Sequence, residues 1–241
     1  MSIPKILHYC WFGKNAISDD ARRNQISWEK NCPNFKIYEW NEDNFDINGF
    51  AYTQKQYARG RYDLVSDFVR LFVVEKYGGI YIDTDVEILK PLDPLLKNNC
   101  FWGMEDFDLI GSGLIFGSEA HYQSIRDLMK IYIRNSNDNS FLDMNCVKIT
   151  TDYFRRLGFK YINKTQNISG NKIYSTQYFC PIKYGSRILR ITNRTFTIHH
   201  YAECSSDVRR HIMIGRAIRR MIGREKFEHM KHMIENKRNV F

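Results

Sequence analysis

Three carboxylates stand at every second position of GGIYIDTDVEILKPLD, which runs from Gly78 to Asp93: Asp83, Asp85 and Glu87. In an extended chain, alternate side chains project from opposite faces. The acids then share one face, and Ile80, Ile82, Val86 and Ile88 take the other. The same alternation describes the solvated face of an edge strand. Two features favour a site instead: a strongly apolar segment precedes the acids, and Pro91 and Pro94 close the stretch. That is the arrangement expected where carboxylates are presented at the C-terminal edge of an α/β sheet. Hard divalent cations prefer oxygen ligands, and two close carboxylates can hold one while leaving positions for phosphate oxygens. A diphosphate leaving group needs such an ion, because charge grows on its oxygen as the bond breaks. Asp83 and Asp85 therefore suit a DxD metal and phosphate site.

The preceding segment adds to this. In YDLVSDFVR, Asp63, Ser66, Asp67 and Arg70 recur at separations of three or four, so a helix gathers them on one face. The Asp67 carboxylate can accept hydrogen bonds from sugar hydroxyls, and Arg70 offers a fork of donors to an oxygen or phosphate. An ordinary i,i+3 surface pair is the plainer reading of the same spacing.

These residues need elements to hold them. IPKILHYCWFG predicts a buried first strand over 3–10, turning at Gly13; a helix follows near 19–30, and FKIYEW supplies a second strand over 35–40. From Arg61 to Tyr77 the apolar residues Leu64, Val65, Phe68, Val69, Leu71 and Phe72 form the broad stripe of a largely buried helix. Gly78 and Gly79 can end it in left-handed dihedrals. A strand near 100–104, two strand pieces within DLIGSGLIFGS, a helix over 120–135 and a helix end at DYFRRLGF follow, and KIYSTQYFCPI and TFTIHHYA read as extended. This order predicts an α/β core. In TFTIHHYA, Phe196, Ile198 and His200 fall on one side and Thr197 and His199 on the other, so one histidine at most reaches a given site. Gly111, Ser112 and Gly113 suit either the lining of a donor site or a hairpin.

The 241 residues carry 36 Lys and Arg against 27 Asp and Glu, a formal charge of +9, which favours anionic partners without choosing among nucleic acid, sugar nucleotides and lipid headgroups. A 43% hydrophobic content supports a folded globular chain. No apolar run approaches the roughly 18 residues that cross a bilayer, and Pro4 interrupts the N-terminus early, which argues against a secreted or integral membrane protein. The six cysteines form no CxxC pair and read as free thiols of a cytoplasmic protein, although an even count leaves disulfides open. The division expected is a core over 1–206 and a basic helical extension over 207–241. That extension either packs its apolar stripe on the core or lies against an anionic membrane surface.

IPKILHYCWFG, DLVSDFVRLFVVEKYGGIYIDTDVEILKPLD and IHHYA together resemble glycosyltransferase family 32, the DxD sugar transferases of yeast mannosyl transfer and bacterial capsule and lipopolysaccharide synthesis. The catalytic domains of clostridial glucosylating toxins are more distantly similar. The resemblance implies a GT-A-like single domain with a central mixed sheet flanked by helices, a nucleotide-sugar donor, Mn2+ with Mg2+ as the alternative, and retention of configuration. It implies Asp85 as the principal metal ligand, Asp83 near the metal and ribose, and Asp67 and Arg70 on the donor sugar and phosphate. Trp11 matches an aromatic that stacks on uracil, although a plain core tryptophan fits its position too. The HHY context favours His200 as the histidine completing the metal shell. Where family members close over the donor with a serine and a tryptophan, this chain has Glu203, Cys204, Ser205 and Ser206. Ser205 or Ser206 remains available to phosphate, but no tryptophan stands there.

The function expected is metal-dependent transfer of a hexose or N-acetylhexosamine, from a UDP-sugar in preference to a GDP-sugar, to a saccharide or lipid-linked glycan in polysaccharide synthesis. A nucleotidyltransferase or phosphotransferase uses the same carboxylate-bound metal. A basic nucleic-acid-binding module accounts for the charge alone, but no nucleic-acid motif is present, and no such partner is expected.

Overall fold

The computed structural model describes residues 2–182, 189–201, 221, 223 and 226. Its α/β body comprises Met1–Pro181 with Ile191–His200. Ile182–Arg190 with Tyr201–Phe241 forms a separate unit, described only by a bridge between Ile182 and Leu189 and a few single residues. Ser205, Ser206 and nearly all of the expected basic helix over 207–241 lie outside the described residues.

In chain order the elements are β1 (Ile6–Cys10), α1 (Asp19–Asn31), β2 (Lys36–Trp40), α2 (Ala51–Ala58), α3 (Tyr62–Tyr77), β3 (Gly79–Ile82), β4 (Val86–Ile88), β5 (Cys100–Asp106), β6 (Leu109–Ile110), β7 (Ile115–Ser118), α4 (Gln123–Arg134), α5 (Asn139–Leu142), α6 (Cys146–Arg156), β8 (Gln166–Ile168), β9 (Asn171–Tyr174), α7 (Thr176–Phe179) and β10 (Thr197–His199). The main sheet runs β2-β1-β3-β7-β5-β9-β8, with β6 paired to β5. It is mixed: β1 is parallel to β2 and β3, β7 is antiparallel to both its neighbours, and β5 is parallel to β9. Every residue of β3, β5 and β7 is buried, as a sheet covered on both faces requires.

α3 packs against this sheet with Val65, Phe68, Val69, Val73 and Val74 wholly buried. It ends as the sequence predicts. Gly78 and Gly79 hold φ of +64° and +107°, and a Cβ on either would lie within 3.0 Å of backbone atoms of Ala120 or Ile6.

Two expectations are corrected. The acids of GGIYIDTDVEILKPLD do not share the face of one strand. β3 stops at Ile82, the chain turns through Asp83, Thr84 and Asp85, and Val86 N donates to Asp83 O at 3.1 Å. β4 then joins β10 in a separate antiparallel pair. A period of two reads through a tight turn as it reads through a strand, so the pattern could not register the break. KIYSTQYFCPI is likewise extended only to Tyr174, after which Thr176–Phe179 makes a single helical turn that buries Phe179. The described cysteines, Cys10, Cys32, Cys100, Cys146 and Cys180, are free and buried.

Candidate active site

Two charged residues interrupt the apolar face of α3. Asp67 and Arg70 are 5% and 4% exposed, and charges so buried need partners. Arg70 Nη2 lies 3.1 Å from Asp67 Oδ1 and 3.4 Å from Asp83 Oδ1, so the guanidinium bridges the helix to the end of β3. Its Nε donates to Ser66 O at 3.1 Å, and its centre stands 4.8 Å from the centroid of the Tyr81 ring. Asp67 Oδ2 accepts from the backbone N–H of Cys146 at 3.0 Å, the first residue of α6, where free amide groups and the helix dipole favour an anion. Burial nevertheless raises the Asp67 carboxyl, against the lowering effect of Arg70 and Cys146.

Asp83 is held from its other side by Tyr81, whose hydroxyl donates to Oδ1 at 2.8 Å. Tyr81 was absent from the sequence-derived set, although it sits two residues before Asp83 and so shares its face. Cys146 was also missed. Its backbone N–H reaches Asp67 and its Sγ accepts from Arg70 Nη1 at 3.6 Å, contacts made across 79 and 76 residues that no local pattern reveals.

Past the turn, His199 Nε2 lies 3.0 Å from Asp85 Oδ1, and ligand atoms of Asp83, Asp85 and His199 all fall within 4.8 Å of one another. Two carboxylates and an imidazole make a mixed oxygen and nitrogen donor set that fits a divalent cation of the Mn2+ kind. Burial raises the Asp83 carboxyl, Arg70 opposes the rise, and the Asp85 charge adds to it. At His199 burial favours the neutral ring, but the Asp85 carboxylate outweighs it and raises the imidazole.

The expected choice between the two histidines is reversed by this geometry. His200 turns to the partly exposed Glu87, its Nε2 2.9 Å from Oε2. Register is the reason: β10 pairs His199 with Val86, and His200 N donates to Asp85 O, so the side chain of His199 faces the turn and that of His200 faces away.

Gly111, Ser112 and Gly113 join β6 to β7 through a turn in which Leu114 N donates to Gly111 O at 3.2 Å. Ser112 Oγ accepts from Thr150 Oγ1 of α6. The backbone of Gly113 lies directly on the ion pair, where an added Cβ would stand 2.6 Å from Arg70 Nη1 and 2.8 Å from Asp83 Oδ2. Trp11 follows β1, which runs parallel to β3 with His8 opposite Tyr81, so Trp11 and Asp83 leave the same edge of the sheet. The indole is partly exposed and donates from Nε1 to Asn15 O at 2.8 Å.

Residues 18–102 match the sequence profile of a glycosyltransferase sugar-binding region containing a DXD motif. The solved structure of the PaToxG glycosyltransferase superposes with a TM-score of 0.53 at 15% identity, covering 64% of this chain and 69% of that one. The galactosyltransferase LgtC, solved with donor and acceptor sugar analogues, gives 0.50 at 12% identity over 93% and 94%. The fold is GT-A-like. At these identities the structural likenesses speak to fold alone. In sequence, the chain is 31% identical over 103 residues to inositol phosphoceramide mannosyltransferase 3 of Schizosaccharomyces pombe, covering 39% of this chain and 28% of that protein. The chain thus spans well under a third of the length of that curated relative. The GT-A-like domain carries the DXD region on the turn that gathers Asp83 and Asp85, beside the candidate metal-binding cluster.

Proposed function

We propose that this protein is a metal-dependent glycosyltransferase of the family 32 kind, moving a hexose or N-acetylhexosamine from a nucleoside-diphosphate sugar, UDP-sugars favoured, to a saccharide or lipid-linked glycan. The observation that carries the reading is the convergence of Asp83, Asp85 and His199 beside a buried Arg70 in a GT-A-like fold. Asp83, Asp85 and His199 would hold the cation, which supplies charge stabilisation for the departing diphosphate. Arg70, fixed by Asp67 and lying over Tyr81, holds Asp83 in place and sets its positive charge behind the position a donor phosphate or sugar would take. Asp67 positions Arg70 through their 3.1 Å contact. Gly113 lets the β6–β7 turn approach the pair closely enough to line a sugar, and Trp11 offers a ring face to the base. Front-face attack on the donor, which retains configuration, suits a site in which no side chain is singled out as a covalent nucleophile.

Among the described residues no helix is long and apolar enough to cross a membrane. A lipid-linked acceptor accords with the basic sequence beyond residue 206, in which membrane contact remains part of the proposal.

A donor screen with the purified full chain tests the reading. Mn2+-dependent release of nucleoside diphosphate, coupled to a new glycosidic bond, is expected with one sugar nucleotide. Nucleotide incorporation or phosphate transfer in its place would overturn it.

A further inference from the structure

β4 is only three residues long and has β10 along one edge, so the backbone groups of its other edge need partners from outside the sheet. α1 supplies them with side chains at helical spacing. Asn24 Nδ2 donates to Thr84 O at 2.8 Å, Trp28 Nε1 to Val86 O at 2.7 Å and Asn31 Nδ2 to Ile88 O at 2.8 Å, while Ser27 Oγ accepts from Ile88 N at 2.9 Å. Residues 24, 27, 28 and 31 recur every three or four positions, so one face of α1 stands in for a third strand.

The first rung differs from the others in what it touches. Thr84 lies between the two aspartates, in the turn that leads from Ile82 at the end of β3 to Val86 at the start of β4. Its carbonyl belongs to the peptide plane that joins Thr84 to Asp85. Rotating that plane swings the Asp85 carboxylate relative to Asp83, and Asn24, 6% exposed, grips its oxygen. We propose that Asn24 is a positioning residue for the DTD site, its side-chain amide locking the Thr84 carbonyl so that Asp83 and Asp85 converge on one cation. This rests on the metal-dependent reading above, and touches it only through the pair's geometry.

Asn31 provides an internal control. Its Nδ2 likewise donates to a backbone carbonyl at 2.8 Å, but to Ile88 O of β4, beyond the carboxylates, and it also reaches Ser27 O at 2.9 Å. A merely structural role would let either asparagine change stability without changing metal affinity.

The test is Mn2+ binding to the full chain, followed by electron paramagnetic resonance of the free ion, with thermal melting alongside. Outer-shell changes at metal sites typically weaken affinity by about 10-fold to 100-fold, so Asn24→Ala is expected to bind Mn2+ at least about tenfold more weakly. Asn31→Ala is expected to bind as wild type does, with a comparable loss of melting temperature. Asn24→Leu, which keeps the volume and removes the donor, should repeat the loss and serves where Asn24→Ala folds poorly. Unchanged affinity in both Asn24 variants, or equal loss in Asn31→Ala, overturns the positioning role while the metal site stands. Failure of wild type itself to bind Mn2+ better than Asp85→Asn overturns both readings, and the Asp85→Asn arm tells the two failures apart.

Discussion

Gly113→Ala adds one carbon where the structure has no room for it, against the two atoms that matter most. The new Cβ would stand 2.6 Å from Arg70 Nη1 and 2.8 Å from Asp83 Oδ2, against an ordinary contact that begins at 3.4 Å. Relief requires the guanidinium to retreat by about 0.8 Å and the carboxylate by about 0.6 Å, or the β6–β7 turn to move by a similar amount. The turn is tied down by the Leu114 N to Gly111 O bond and the Thr150 to Ser112 contact, and Arg70 is held by Asp67 and Ser66. The displacement therefore falls largely on the Arg70–Asp83 contact. A misplacement near 1 Å can cost about 100-fold in rate, so kcat/KM is expected to fall by about 10-fold to 100-fold, or roughly 1.4 to 2.7 kcal/mol of transition-state stabilisation. Overpacking itself costs about 1 to 3 kcal/mol of stability, which leaves a folded protein to measure. The assay is steady-state transfer or donor hydrolysis at saturating Mn2+, with a melting curve to confirm folding. Activity within twofold of wild type in a folded variant would refute the view that the pair must sit where it does.

Asp85→Asn, which removes charge with little change of shape, is expected to abolish nearly all transfer and weaken Mn2+-dependent donor binding; full activity at low metal in a manganese titration would exclude Asp85 as a ligand. His199→Ala should lose Mn2+ affinity, whereas His200→Ala should keep it, and the same titration run on both reads the difference. His8 gives a pH dependence remote from the metal. It accepts from Trp40 Nε1 on Nδ1 and donates to Gly78 O from Nε2, so the ring is neutral, and burial lowers it from 6.5 to about 4. The unfolded chain therefore takes up a proton that the native state refuses between these values. The contribution of His8 to stability is complete above pH 6.5 and falls by about 3 kcal/mol as pH drops to 4, at about 1.36 kcal/mol per pH unit, while the raised Asp83 carboxyl acts in the opposite sense over the same range. Urea melts across that range, compared with His8→Asn, should show the acid slope shrink by that amount in the variant.

What was legible in the sequence followed periodicity and backbone chemistry. α3 carries an apolar stripe with two charges set into it and a glycine pair after it, and each feature has a local cause. α2 has none: AYTQKQYA shows no stripe, and its buried Thr53 and Gln56 are satisfied by Ile47 O and by Leu142 O far along the chain. The turn at Asp83–Asp85 was hidden because alternation continues through it. The choice between His199 and His200 depends on the register of β10 against β4, which a three-residue pairing sets by contacts outside itself. Asn24 and the amide of Cys146 act over separations of 60 and 79 residues. Their roles exist only in the fold.

Stability does not account for the charges buried in α3. Replacing a buried ionic group by well-packed apolar residues is often neutral or stabilising by about 1 to 4 kcal/mol, and the neighbours of Arg70 on this helix show that valine, leucine and phenylalanine pack here without difficulty. What the charges provide is position. The α6 N-terminus fixes Asp67, Asp67 fixes Arg70, and Arg70 with Tyr81 fixes Asp83 from within the main sheet. From the opposite direction, α1 fixes the Thr84 carbonyl, and β10 brings His199 to Asp85. The two series of contacts come from different helices and strands and meet at Asp83, Thr84 and Asp85, where His199 also stands close to Asp83. A site assembled in this way holds the carboxylates of Asp83 and Asp85 close together although the charge on one works against ionisation of the other, an arrangement that suits a divalent cation and that an isolated turn would not keep.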